Sequence, residues 1–336
     1  MVPRPQQFEP WLNRLEGFAP ARVLSISPVD GGASNITCRV DVLGGPVTSV
    51  CLRMQKDRGI FEPYDVVREG RVIAALGSTV VPVPRVLASE EARVPLGAPF
   101  IVMEWIDAPH MGNAPNPSFA AFTSAVASIH NLDWRAAGLA FMGVPGSPAE
   151  AIGKELDAIA ARMPTFGCAE DRLLSFALSK LRSNIPNDGR ITLCQGDINI
   201  FNYLFHGEEV VAVVDWEQAR LSDPRCDVGQ LVALSHLKGA PFGPAENQPF
   251  VQTYGLAAGK SVAGMAFFRA RCRNRSPCFA PRSTARRCWS RWVPQGAYGE
   301  ERCRWCVHLR GRRWHSGCQR VRQDRCDRNR RIGAGR

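Results

Sequence analysis

Between residues 22 and 54 apolar and polar side chains alternate with a period of two. Ile36, Cys38, Val40 and Val42 are separated by Thr37, Arg39 and Asp41, and Val50, Leu52 and Met54 by Cys51 and Arg53. That is the pattern of half-buried strands, so RVLSISPVDGGASNITCRVDVLGGPVTSVCLRMQ predicts three strands joined by glycine turns, GGP making a hairpin. The period then changes. In EPYDVVREGRVIAALG, Val66, Ile73 and Leu76 share one face of a helix, and Glu69 falls on that same face. A carboxylate on a buried face is costly unless a cation meets it. VPVPRVLAS and APFIVMEWIDA predict two further strands, the second almost wholly apolar.

Helical period returns from about residue 115 to 185, most clearly in FAAFTSAVASIHNLD and DRLLSFALSKLRS. ITLCQGD, a loop and EVVAVVDWEQA follow, and CDVGQLVALSHLKG opens another helix. A short helix is expected before residue 20. A small sheet with one helix, followed by a larger helical part, predicts an α+β protein of two lobes with its ligand site between them. The boundaries fall at 1–106 for the sheet lobe and 107–268 for the helical lobe, leaving 269–336 as a tail.

Composition separates the tail from the rest. The formal charge of +11 is uneven: residues 269–336 hold 20 Arg, no Lys and 4 acids, a net +16, and the remainder carries −5. Seven of the 12 Cys and four of the 8 Trp also lie in the tail. The body is therefore mildly acidic, with five scattered Cys that suit a reducing compartment. No run of 18 apolar residues appears, and MVPRPQQFEPWLNRLEGF is too polar for a secretory signal, so a cytoplasmic protein with no membrane partner is expected.

The candidate chemistry begins at CQGDINIFN, residues 194–202. Asp197 and Asn202 are five apart, and Asp215 ends the apolar run VVAVV. If 194–215 forms a loop and hairpin, two carboxylates and an amide oxygen converge. That set suits a hydroxyl to be activated and a hard cation to be held, since Mg²⁺ prefers oxygen ligands shared with phosphates.

From about residue 20 to 268 these motifs, in this order, resemble the aminoglycoside phosphotransferase-like family of small-molecule kinases, in the branch also found fused to acyl-CoA dehydrogenases. The resemblance implies a protein-kinase-like two-lobed fold, with ATP and Mg²⁺ as cofactors and a small-molecule hydroxyl as acceptor. DGGASNITCRV matches the phosphate loop, placing backbone amides of Gly31, Gly32, Ala33 and Ser34 over the nucleotide phosphates. CLRMQ places Arg53 as the phosphate-binding cation, and VVREGRVIAAL supplies Glu69 to orient it. PFIVMEWIDA implies an adenine contact from the backbone of Glu104 and Trp105. CQGDINIFN gives Asp197 as the catalytic base, and Asn202 and Asp215 become Mg²⁺ ligands. Asn199 is left as a bystander, Asp223 and Asp227 as helix caps that brace the loop, and His130 as a buried helix-end histidine.

One position departs from the family, which usually has His before the Gly-Asp where this chain has Gln195. With the altered C-terminal stretch, that departure leaves as the alternative a pseudokinase that binds nucleotide without turnover. A further reading makes the basic tail a nucleic-acid arm, or makes Cys303 and Cys306 half of a zinc site. The second zinc pair is irregular, no apolar period runs through the tail, and GC-rich DNA read out of frame yields this mixture of Arg, Cys, Trp, Pro and Ser. The tail thus reads as a frame-shifted, non-native segment, and nucleic acid is not expected as a partner.

Overall fold

The computed structural model describes residues 2–29, 34–57, 63–234, 247–259, 262 and 264–275. The chain divides into two compact units, Met1–Cys278 and Phe279–Arg336. The second unit, with the zinc, nucleic-acid and reading-frame readings of the tail, lies outside the described residues.

A short helix, α1 (Pro5–Leu12), precedes an antiparallel sheet of β1 (Arg22–Pro28), β2 (Ile36–Leu43), β3 (Ser49–Met54), β4 (Val86–Glu90) and β5 (Phe100–Glu104), in the order β1-β2-β3-β5-β4. Helix α2 (Val66–Leu76) lies between β3 and β4 in sequence. One face of the sheet buries Cys38, Val40, Val42, Val50, Leu52 and Met54 against Phe8, Trp11 and Leu12 of α1. The other buries Cys51, Ile101 and Met103 with Val66, Val72, Ile73 and Leu76 of α2.

The alternation in β3 had suggested a strand wet on one side; here the structure differs. Cys51 and Arg53 are buried like their apolar neighbours, though slightly less completely, because β3 is central and α2 covers their face. Periodicity reports polarity, whereas burial depends on what is laid over the strand.

Beyond the connector come α3 (Phe119–Asn131), α4 (Pro148–Arg162), α5 (Arg172–Arg182), α6 (Arg225–Leu234), α7 (Asn247–Ala258) and α8 (Met265–Arg275). Side chains of Asp65, Ser118, Ser147 and Asp171 accept backbone N–H groups at the starts of α2, α3, α4 and α5, which is why those helices begin where they do. Two small antiparallel pairs complete the fold: β6 (Thr192–Cys194) with β9 (Arg220–Ser222), and β7 (Tyr203–His206) with β8 (Glu209–Val213). The connector is pinned to β7 by Phe205 N–H to the Pro109 carbonyl, 2.8 Å, and Met111 N–H to the Tyr203 carbonyl, 2.9 Å. Helix α8 runs through the composition change near 269, and its Arg271 is wholly buried in an ion pair with Glu155. No helix among the described residues is long and apolar enough to cross a membrane.

Candidate active site

The loop from Gln195 to Asn202 is held by its backbone. Gly196 has φ +89°, and a Cβ there would overlap the Gln218 carbonyl, so only glycine fits. The N–H groups of Gln195 and Gly196 donate to the Asp227 carboxylate at 2.8 and 3.2 Å. His130, wholly buried, bridges Asp227 and the Tyr254 hydroxyl at 3.3 and 2.7 Å. Burial pushes Asp227 upward, but the His130 hydrogen bond and the Arg220 charge outweigh it and hold the carboxyl below its usual range. His130, Cys194 and Asp227 bring three ligand-type atoms within 4.8 Å of one another. Hydrogen bonds already occupy those atoms, Cys194 Sγ donating to the Asp223 carbonyl at 3.4 Å, so the cluster is a brace. Gln195 joins it: its amide donates to the Val214 carbonyl at 2.9 Å and accepts from the Tyr203 hydroxyl at 3.1 Å.

Asp197, half-buried, is gripped by amides. Oδ2 accepts from Asn199 Nδ2 at 3.1 Å and Asn202 Nδ2 at 3.2 Å, and Oδ1 accepts from Gln230 Nε2 at 2.9 Å. Asn199 hydrogen-bonds within the loop, capping the turn at Ile200–Asn202 and holding the carboxylate as well. The Asn202 carbonyl accepts the Val214 N–H at 2.9 Å, which sets the base loop beside the β8 exit carrying Asp215.

Asp215 has φ +63°, the only non-glycine in the left-handed region among the described residues. Backbone strain of this kind persists where the surroundings over-determine it, commonly at functional sites. Its Oδ1 accepts Arg53 Nη2 at 2.8 Å, while Arg53 Nε reaches Glu69 Oε2 at 2.8 Å and Nη2 also reaches Glu217 Oε2 at 3.3 Å. Glu69 is 1% exposed and accepts the Trp216 N–H at 3.2 Å, so the cation expected beside it is Arg53 and α2 is tied to the β8 exit. Three carboxylates facing one guanidinium leave a formal surplus of two negative charges. Burial, then the charge of Asp215, push Glu217 up to about 7 against the pull of Arg53.

Arg53, Glu69, Asp197, Asn202 and Asp215 therefore fall into one connected network. Gly31, Gly32 and Ala33 lie outside the described residues; Ser34 is buried and hydrogen-bonds Glu217. At the end of β5 the Glu104 N–H is bonded to the Arg85 carbonyl at 2.8 Å. Trp105 lies under the Arg39 guanidinium, 5.2 Å from the ring centre. Sequence reasoning missed Asn35, whose amide donates to Glu217 at 3.2 Å, and Glu217 and Gln230 themselves. Glu217 had no periodic signal, because Asp215 in the left-handed region breaks the two-residue alternation of a strand. Gln230 had none.

The donor set fits Mg²⁺. Asp215 and Glu217 are hard carboxylates, Asn202 spends its Nδ2 on Asp197 and keeps Oδ1 as an oxygen donor, and the surplus of two negative charges is what a divalent cation balances.

A small sheet with one helix whose carboxylate meets the cation of β3, joined to a helical lobe bearing an Asp-x4-Asn loop and a following Asp, defines a kinase-like phosphotransferase fold. The profile of the phosphotransferase enzyme family matches residues 25–269, and the chain belongs to that family. It is similar to acyl-CoA dehydrogenase family member 10 of Mus musculus, 30% identical over 244 residues, covering 66% of this chain and 21% of the mouse protein. It is also similar to family member 11 of Gallus gallus, 29% identical over 229 residues, covering 64% of this chain and 29% of the chicken protein. The chain thus spans less than a third of the length of these relatives. Among solved structures it resembles a Ralstonia eutropha protein assigned as an aminoglycoside phosphotransferase, with TM-score 0.62, 22% identity and coverage of 86% and 94% of the two chains. It also resembles a macrolide 2'-phosphotransferase, with TM-score 0.59, 16% identity and coverage of 88% and 99%. These structural likenesses show the fold.

Proposed function

We propose that the chain transfers the γ-phosphoryl group of Mg-ATP to a hydroxyl of a small molecule. The observation that carries this is Arg53, which joins Glu69 of α2 to Asp215 at the end of β8, beside a loop that presents Asp197. Arg53 is the phosphate-binding cation; burial would pull its guanidinium down, but the charges of Glu69, Asp215 and Glu217 raise it. Glu69 keeps it extended. Backbone amides at Gly31, Gly32, Ala33 and Ser34 cover the phosphates, and Glu104 and Trp105 meet the adenine. Asn202 and Asp215 hold the metal, which when bound neutralises charge on the phosphates. Asp197 aligns the acceptor hydroxyl and takes its proton, a contribution of roughly 10²–10⁴-fold, while positioning supplies the rest.

Structural relatives named for spectinomycin and macrolides, the former in complex with ADP, support nucleotide use and a small hydroxylated acceptor. Cys38, Cys51, Cys168, Cys194 and Cys226 form no disulfide among the described residues, which supports a reducing, cytoplasmic setting. The pseudokinase reading rests on Gln195 and on the altered C-terminal sequence; of the first, Gln195 makes two hydrogen bonds that support an assembled loop. Titration calorimetry with ATP, with and without Mg²⁺, on wild type and Asp215→Ala tests the proposal. Metal-dependent binding weakened by the substitution is expected; no binding by the folded wild type sinks it.

A further inference from the structure

Nothing in the sequence marks Gln230, yet its side chain reaches the carboxylate on which the proposed chemistry turns. Asp227 and Gln230 are three apart on α6 and so project from one face of that helix. Asp227 grips the backbone N–H groups of Gln195 and Gly196, and Gln230 grips the side chain of the next residue, Asp197, at 2.9 Å. One helix face thus holds the loop at two levels.

The two oxygens of Asp197 are held differently. Oδ2 is turned inward by Asn199 and Asn202, which belong to the loop itself. Oδ1 is held from another element by Gln230. Donors on both oxygens fix rotation about the Cβ–Cγ bond. Helix α6 is in turn fixed against α8, since Gly229 admits Phe268 so closely that a Cβ there would lie 2.6 Å from the Phe268 Cβ.

We propose that Gln230 is a positioning residue that aims the Asp197 carboxylate at the acceptor hydroxyl, with α6 as the arm that carries it. This rests on the reading of Asp197 as the base. A mere packing residue at 230 would tolerate any isosteric replacement; a positioning amide would not.

The experiment follows phosphate release from Mg-ATP, with water as acceptor, by the full chain across the pH range. The variants are Gln230→Leu, Gln230→Glu and Asp197→Asn, with circular dichroism to confirm folding. Asp197→Asn is expected to lose roughly 10²–10⁴-fold in kcat, which checks the base itself. Gln230→Leu is expected to lose roughly 10- to 100-fold in kcat with ATP affinity unchanged. Gln230→Glu, of the same shape, sets a second carboxylate against Asp197, so its loss should grow as pH rises and recover in acid. Wild-type kcat in Gln230→Leu, or no pH-dependent deficit in Gln230→Glu, while Asp197→Asn is crippled, overturns the proposal and leaves the base reading intact. An Asp197→Asn enzyme as fast as wild type sinks the base reading and this proposal with it. Selective ¹⁵N-glutamine labelling gives a readout that needs no turnover. The side-chain resonance lost in Gln230→Leu should differ in position between wild type and Asp197→Asn at one fixed pH. A resonance at the same position in both also overturns the proposal.

Discussion

Arg53 Nη2 lies 2.8 Å from Asp215 Oδ1, so a side chain from the centre of the sheet holds a left-handed residue two positions past β8. Glu69 and Glu217 meet the same guanidinium at 2.8 and 3.3 Å.

Removing that cation strands buried carboxylates. Arg53→Met should lower stability by about 3–5 kcal/mol in urea unfolding, because a buried pair broken on one side leaves an uncompensated charge. Arg53→Lys keeps the charge but lacks the planar fork that serves several acceptors, so an intermediate loss is expected. Equal stability of wild type and Arg53→Met would show that the cluster does not organise the site.

Gln195 is the second test. In Gln195→Leu the Val214 carbonyl and the Tyr203 hydroxyl lose their partner, at about 1–3 kcal/mol for each stranded group. Because Val214 precedes Asp215, Mg²⁺-dependent nucleotide affinity should fall together with stability. A variant that loses stability but keeps full affinity would confine Gln195 to packing.

Acid stability should expose Asp227. Its carboxyl is held below the ordinary value of 3.8, so the folded state binds a proton there less readily than the unfolded chain. The stabilisation is complete above 3.8 and is lost as pH falls below it toward the depressed value. Asp227→Asn should therefore be less stable than wild type at neutral pH, and the gap should narrow as acid is added. A gap that stays constant with pH would mean that Asp227 contributes only shape.

The tail yields a prediction about the gene. We propose that residues from near 269 onward are read out of frame, so one of the other two frames should continue the helical pattern; if neither does, the idea fails. Truncation after Cys278 should leave the melting temperature unchanged. Truncation after Gly264 deletes α8, with Phe268 and the Arg271–Glu155 pair, and should lower it by at least several degrees.

Local chemistry made the elements legible. Period-two alternation marked β2 and β3, and the helical face of Val66, Ile73 and Leu76 marked α2. These features depend on residues near one another in the chain, and so did the pairing of Asp197 with Asn202 and the cost of an unmatched Glu69. What the sequence did not carry is which distant groups meet. Only the tertiary structure buries Cys51 and Arg53 under α2, brings Asn35 and Glu217 together across 182 positions, and swings Gln230 of α6 onto Asp197 across 33. Those contacts arise from how elements stack, and stacking depends on packing summed over the whole core rather than on any local pattern of residues.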